Sequence, residues 1–180
     1  MNNLLSQYYT KFDSQFSNLE IIDSSWYQKE LGIKAFCSKA SAKDSKSGFS
    51  EEYIRARFVF AMVNSGMYQK EYICVEFGFP KGNGGKSLNP DIVVFKNKDW
   101  LKDWEDAKQS KNFAKLRQNL LVIFETKKDN KSVSQAIENQ LRSAMAENES
   151  EERVFGVYFD DEPNILIFKK IGNSEIRRFF

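Results

Sequence analysis

The run Leu120-Leu121-Val122-Ile123-Phe124-Glu125-Thr126-Lys127-Lys128 decides how the rest of the chain is read. Five consecutive apolar residues lead straight into a carboxylate, a hydroxyl and two ammonium groups. An unbroken apolar run of this length predicts a strand covered on both faces, at the centre of a sheet. Side chains alternate along a strand, so Glu125 and Lys127 share one face and Thr126 takes the other. A carboxylate and an amine at the lip of a buried strand are costly to desolvate unless they have partners or chemistry there.

Working outward, Pro90-Asp91-Ile92-Val93-Val94-Phe95 predicts a second strand with Asp91 at its entrance. If the two strands lie antiparallel and adjacent, Asp91 and Glu125 meet at one sheet edge. Two carboxylates with the backbone carbonyl of Thr126 suit a hard divalent cation that keeps several waters, Mg²⁺ or Mn²⁺. Lys127 beside them would orient an attacking water or stabilise charge on a phosphoryl group, which is a site for phosphodiester hydrolysis. Upstream, Ser50 is the expected N-cap of a helix from Glu51 to about Asn64, closed by Ser65-Gly66. Its apolar stripe is Ile54, Phe58, Ala61 and Met62. Glu51 lies one turn before Ile54, whereas Glu52 aligns with Ala56, Val59 and Val63; either acid would also favour the positive helix end. Downstream, Ser132 and Gln135 have capping-box spacing at the start of a helix with the stripe Val133, Ile137, Leu141, Ala144 and Met145. Gln140 falls inside that stripe, and a glutamine on a buried face needs a partner.

The remaining segments complete an α/β (α+β) chain in the order helix, three strands, helix, two strands. Tyr72 to Phe79, and then Val154 to Phe159 and Asn164 to Lys170, read as further strands. Lys96 to Gln118 reads as one or two amphipathic helices inserted between strands. Residues 1–48 form an N-terminal extension, with a helix from Asn3 to Phe16 and a Ser- and Lys-rich loop from Ser38 to Ser50; no chemistry is assigned to it. Residues 49–180 form one compact unit. Gly85-Lys86-Ser87 imitates the end of a phosphate-binding loop, but Pro80 stands at the earlier glycine position and a strand follows, so no ATP site is read here. Zero histidines among 180 residues remove Ser-His-Asp and Cys-His hydrolases and His-Cys zinc sites. Cys37 and Cys74 read as reduced thiols of a cytoplasmic protein, and no stretch approaches a membrane span. A net charge of +2 gives no overall nucleic-acid signature, so any such surface is local.

Taken together, Pro90-Asp91 and Glu125-Thr126-Lys127 resemble the bipartite motif of the PD-(D/E)xK nucleases. More closely, residues from about 50 to 171 are similar to the N-terminal endonuclease domain of type I restriction enzyme R subunits. The resemblance is carried by Glu51-Glu52-Tyr53-Ile54-Arg55, Val75-Glu76, Pro90 to Phe95, Ile123 to Lys128, Gln140-Leu141 and Phe155-Gly156-Val157-Tyr158-Phe159. It implies a restriction-endonuclease-like core of mixed sheet flanked by helices, and metal-dependent cleavage of double-stranded DNA. It also implies assembly with methylase and specificity subunits. Asp91 and Glu125 would be metal ligands, Lys127 catalytic, Glu51 (with Glu52 as competitor) the helix acid, and Gln140 the glutamine of a glutamine-to-tyrosine signature. That tyrosine position holds Ala144. ATP-driven translocase domains of such subunits would lie outside this chain, making it a nuclease module from a larger R subunit or a short relative. The competing expectation is a non-catalytic DNA-binding or subunit-docking module that keeps the fold.

Overall fold

The computed structural model describes residues 2–44, 48–79, 89–128, 133–146, 154–160, 165–171 and 175–178. Seven of its strands form one mixed sheet: β1 (Lys34–Ala35), β2 (Ile73–Val75), β3 (Ile92–Phe95), β4 (Leu120–Thr126), β5 (Phe155–Phe159), β6 (Ile165–Ile171) and β7 (Glu175–Arg178). They lie side by side in chain order. Pairing is parallel for β1 with β2 and for β4 with β5, and antiparallel elsewhere. β4 is therefore the central strand, as its apolar run requires.

Helices cover both faces of this sheet. Helices α1 (Asn2–Gln15) and α2 (Glu51–Asn64) belong to one side. There Phe12, Phe58 and Val59 pack with Ile92, Val94, Val122 and Phe124. On the other side are the inserted helices α3 (Trp100–Ser110) and α4 (Ala114–Gln118), and helix α5, which runs over 133–146. These set Trp100, Leu116, Ile137, Leu141 and Met145 against Val93, Phe95 and Ile123. Alternate residues of β3 and β4 thus feed two separate cores, which is why neither strand shows polar alternation. Helix α2 starts where expected: the Ser50 hydroxyl accepts from the Tyr53 N–H at 3.1 Å, and Gly66 at φ 71° closes the far end. Its predicted single stripe is too narrow, because Ala56 and Val59 are buried as well. The cause is α1, whose Phe12 ring lies 5.2 Å from Tyr53 and 5.4 Å from Phe60.

Other differences from the sequence reading have local causes. The strand expected from Tyr72 to Phe79 is cut to Ile73–Val75, because Lys70–Tyr72 coils as a 3₁₀ turn and Glu76 takes a left-handed φ of 52°. The Ser38–Ser50 loop contains short strands: Ala40–Ser41 pairs with Ile21–Ile22, and Lys43–Asp44 with Gly48–Phe49. Ala42, fully buried and bonded to Glu20 and Ser50, anchors them. The first and last strands of the sheet went unread, one being two residues long and the other largely polar. Residues 80–88, with the Gly85-Lys86-Ser87 sequence, and Ser132 of the capping box lie outside the described residues. Among the described residues no helix is long and apolar enough to cross a membrane.

Helix α5 rests directly on β5 at Gly156. A Cβ there would lie 2.3 Å from Met145 Sδ and 3.1 Å from Leu141 Cδ1. Gly156→Ala is expected to lower stability by about 1–3 kcal/mol through overpacking, measured by urea denaturation. In a Met145→Ala background the same substitution should cost clearly less, since the nearest clashing atom is gone.

Candidate active site

The register of β3 and β4 brings the two strand-end acids together. Ile92 faces Phe124 across the antiparallel ladder, so the next rung sets Asp91 opposite Glu125. Asp91 Oδ2 accepts the Thr126 N–H at 2.6 Å, which ties its carboxylate to the peptide following Glu125. Lys127 donates from Nζ to Glu125 Oε1 at 2.8 Å and to Glu51 Oε1 at 3.3 Å. Its backbone N–H bonds the Phe159 carbonyl, so the chain is still pinned to β5 at this point. The Lys127 side chain is only 17% exposed and that of Glu125 3%. Four of the residues singled out from sequence, Glu51, Asp91, Glu125 and Lys127, therefore gather at one end of the central strands.

A second layer was not foreseen. Arg55, buried on α2, bonds Glu52 through Nη2, Glu76 through Nη1 at 2.6 Å, and approaches Asp91 Oδ1 at 3.4 Å. Glu52 in turn accepts from the Tyr27 hydroxyl at 2.8 Å. The two candidate helix acids are thereby separated: Glu51 meets Lys127, while Glu52 turns into the Arg55–Tyr27 network. The i,i+3 spacing of Glu52 and Arg55 was a readable signal for that pair. No sequence signal marked Tyr27, which is 25 residues from its partner. Glu76 was legible only as part of a motif, because its contact depends on the left-handed turn that ends β2. The N-terminal extension, given no chemistry from sequence, thus touches the network around the site.

Gln140 does not join this cluster. It is exposed, whereas Ala136, Ile137, Leu141, Ala144 and Met145 are buried. The reason is the wide π-type winding of Ala136–Leu141, which changes the helical phase and rotates Gln140 off the stripe that regular α spacing predicts.

The charge balance of the cluster is uneven. Among the described residues five carboxylates (Glu51, Glu52, Glu76, Asp91 and Glu125) face the cations of Arg55 and Lys127. Burial, then the nearby Asp91 charge, push Glu125 up to about 8, against the opposing pull of Lys127. Burial also raises Glu51 and Glu52, with Lys127 and Arg55 respectively resisting. Burial alone would lower Lys127, but Glu125, Asp91 and Glu51 outweigh it and hold its ammonium charged. Among the described residues the buried Thr126 hydroxyl has no hydrogen-bond partner. No group of three or more Cys, Asp or Glu side chains forms a ready-made metal cage among the described residues. An ion that takes one or two carboxylates and keeps its waters, as Mg²⁺ does, would need no more donors than stand here. Asp91, Glu125 and the Thr126 carbonyl are the groups that would hold it, with Glu51 near enough to Lys127 to act through it.

Compared with known proteins, the chain matches no family model, no curated protein and no solved structure.

The raised Glu125 has a consequence for stability. The folded chain binds this proton more tightly than the unfolded chain, so stability declines as pH rises from about 4.5 to about 8. Glu125→Gln should remove that decline. It should exceed the parent at pH 9 by on the order of 2–4 kcal/mol and converge with it near pH 4, as measured by denaturant titration across pH.

Proposed function

We propose that this chain is a divalent-metal-dependent DNA endonuclease module with a restriction-endonuclease-like core, of the kind that serves as the nuclease domain of type I restriction enzyme R subunits. The observation that carries the reading is Asp91 opposite Glu125 on adjacent strands, with the Lys127 ammonium 2.8 Å from Glu125. The resemblance of the ordered motifs supplies the substrate class, double-stranded DNA, and the partners, methylase and specificity subunits.

In this reading Asp91, Glu125 and the Thr126 carbonyl would hold Mg²⁺ or Mn²⁺, which would supply a more acidic water and a polarised phosphoryl oxygen. The chain's own residues do the rest. Asp91 is held by the Thr126 N–H and Glu125 by Lys127, so both carboxylates are oriented in advance. Lys127, clamped between Glu51 and Glu125, presents a fixed positive charge to an attacking water or to the developing charge on phosphate. With no histidine in the chain, proton handling falls to these carboxylates and this amine. Gln140, being exposed, is assigned no part in the chemistry.

The second reading, a non-catalytic docking or DNA-binding module, is favoured by one observation: the Arg55 and Lys127 cations neutralise part of the acid cluster. Supercoiled-plasmid nicking with Mg²⁺ or Mn²⁺ separates the two. Under the nuclease reading Lys127→Ala lowers the nicking rate about 100-fold or more while Mn²⁺ binding persists, and Asp91→Ala loses both. Equal nicking by parent and variants, or DNA binding indifferent to metal with no cleavage, would reject it.

A further inference from the structure

We propose that Arg55 is a positioning residue that competes with a divalent cation for Asp91, and so sets how tightly the site loads. The proposal rests on the reading of Asp91 as a metal-binding carboxylate. Arg55 is 5% exposed and carries a full charge between three acids. Its contacts are unequal. Glu52 and Glu76 hold it closely, whereas Asp91 Oδ1 stands 3.4 Å away, the longest of the three. The close contacts are themselves anchored, Glu52 by the Tyr27 hydroxyl and Glu76 by its N–H bond to the Asp91 carbonyl at 2.8 Å.

This inequality fixes what happens when a cation reaches Asp91. The weak contact yields, but Arg55 does not leave, because Glu52 and Glu76 retain it. A positive charge therefore stays beside the metal site and opposes the ion at short range. Before loading, the same contact helps aim the Asp91 carboxylate, so that one residue both prepares the ligand and limits its affinity. A purely structural ion pair stitching α2 to the sheet would have no such effect on binding.

The test is Mn²⁺ affinity by electron paramagnetic resonance titration on the whole chain, with folding checked by circular dichroism and thermal denaturation. Glu52→Gln removes the tightest partner and turns Arg55 more fully onto Asp91 and Glu76, so Mn²⁺ should bind at least fivefold more weakly. The double substitution Glu52→Gln with Arg55→Gln removes the cation together with the charge of its close partner Glu52, and Mn²⁺ should bind at least tenfold more tightly than to the parent. Shifts of opposite sign support the proposal. If both folded variants weaken binding while Asp91→Asn abolishes it, Arg55 does not compete and the inference is overturned, with the metal reading intact. If the parent shows no Mn²⁺ binding sensitive to Asp91→Asn, the metal reading itself fails and takes the inference with it. Should the double variant not fold, Arg55→Lys decides: retained charge must leave affinity within threefold of the parent, and a larger change overturns the proposal.

Discussion

The constraint on which the rest depends is electrostatic: carboxylates stand at the end of a central strand where water is scarce. Removing a charged carboxylate from water is expensive unless opposite charge and hydrogen bonds replace the solvent. Here the replacements come from three directions. The backbone of β4 itself serves Asp91, Lys127 serves Glu125, and Arg55 reaches over from α2 to serve Glu52 and Glu76. No single one of these suffices, because acids outnumber cations. The remaining compensation is the raised proton affinity that burial gives Glu125.

The architecture follows from that need. A helix can deliver a guanidinium and a carboxylate to the strand ends only if its first turn is held there. α2 is held by apolar burial on nearly every side, against the sheet on one and α1 on the other. The N-terminal extension is thus part of the same construction: Phe12 closes the outer face of α2, and Tyr27 reaches Glu52. Across the sheet, Gly156 lets α5 settle against β5, so that the central strands are covered on both faces at once.

Much of this was legible in the residues. The apolar runs of β3, entered through Asp91, and of β4, ending at Glu125, marked both strands, and Ser50 with Gly66 marked both ends of α2. What escaped reading was of two kinds. Some features are too short or too polar to carry a period, such as Lys34–Ala35 and the Glu175–Arg178 strand. Others depend on departures from ideal geometry that periodicity assumes. The wide turn in α5 moved Gln140 outward, and the left-handed backbone at Glu76 cut short a strand that its composition favours. Contacts between residues far apart in sequence, such as Tyr27 with Glu52, leave no local trace at all.

Glu76 shows how backbone comfort and side-chain purpose can pull against each other. A glutamate at φ 52° crowds its own Cβ, and glycine or asparagine would sit there with less strain. Relaxing that bend would nonetheless take away the acid that grips one arm of the Arg55 guanidinium. At this position a chain selected only for ease of folding would choose a different residue, so a stabilised version of the protein would be drawn toward the change that dismantles the network.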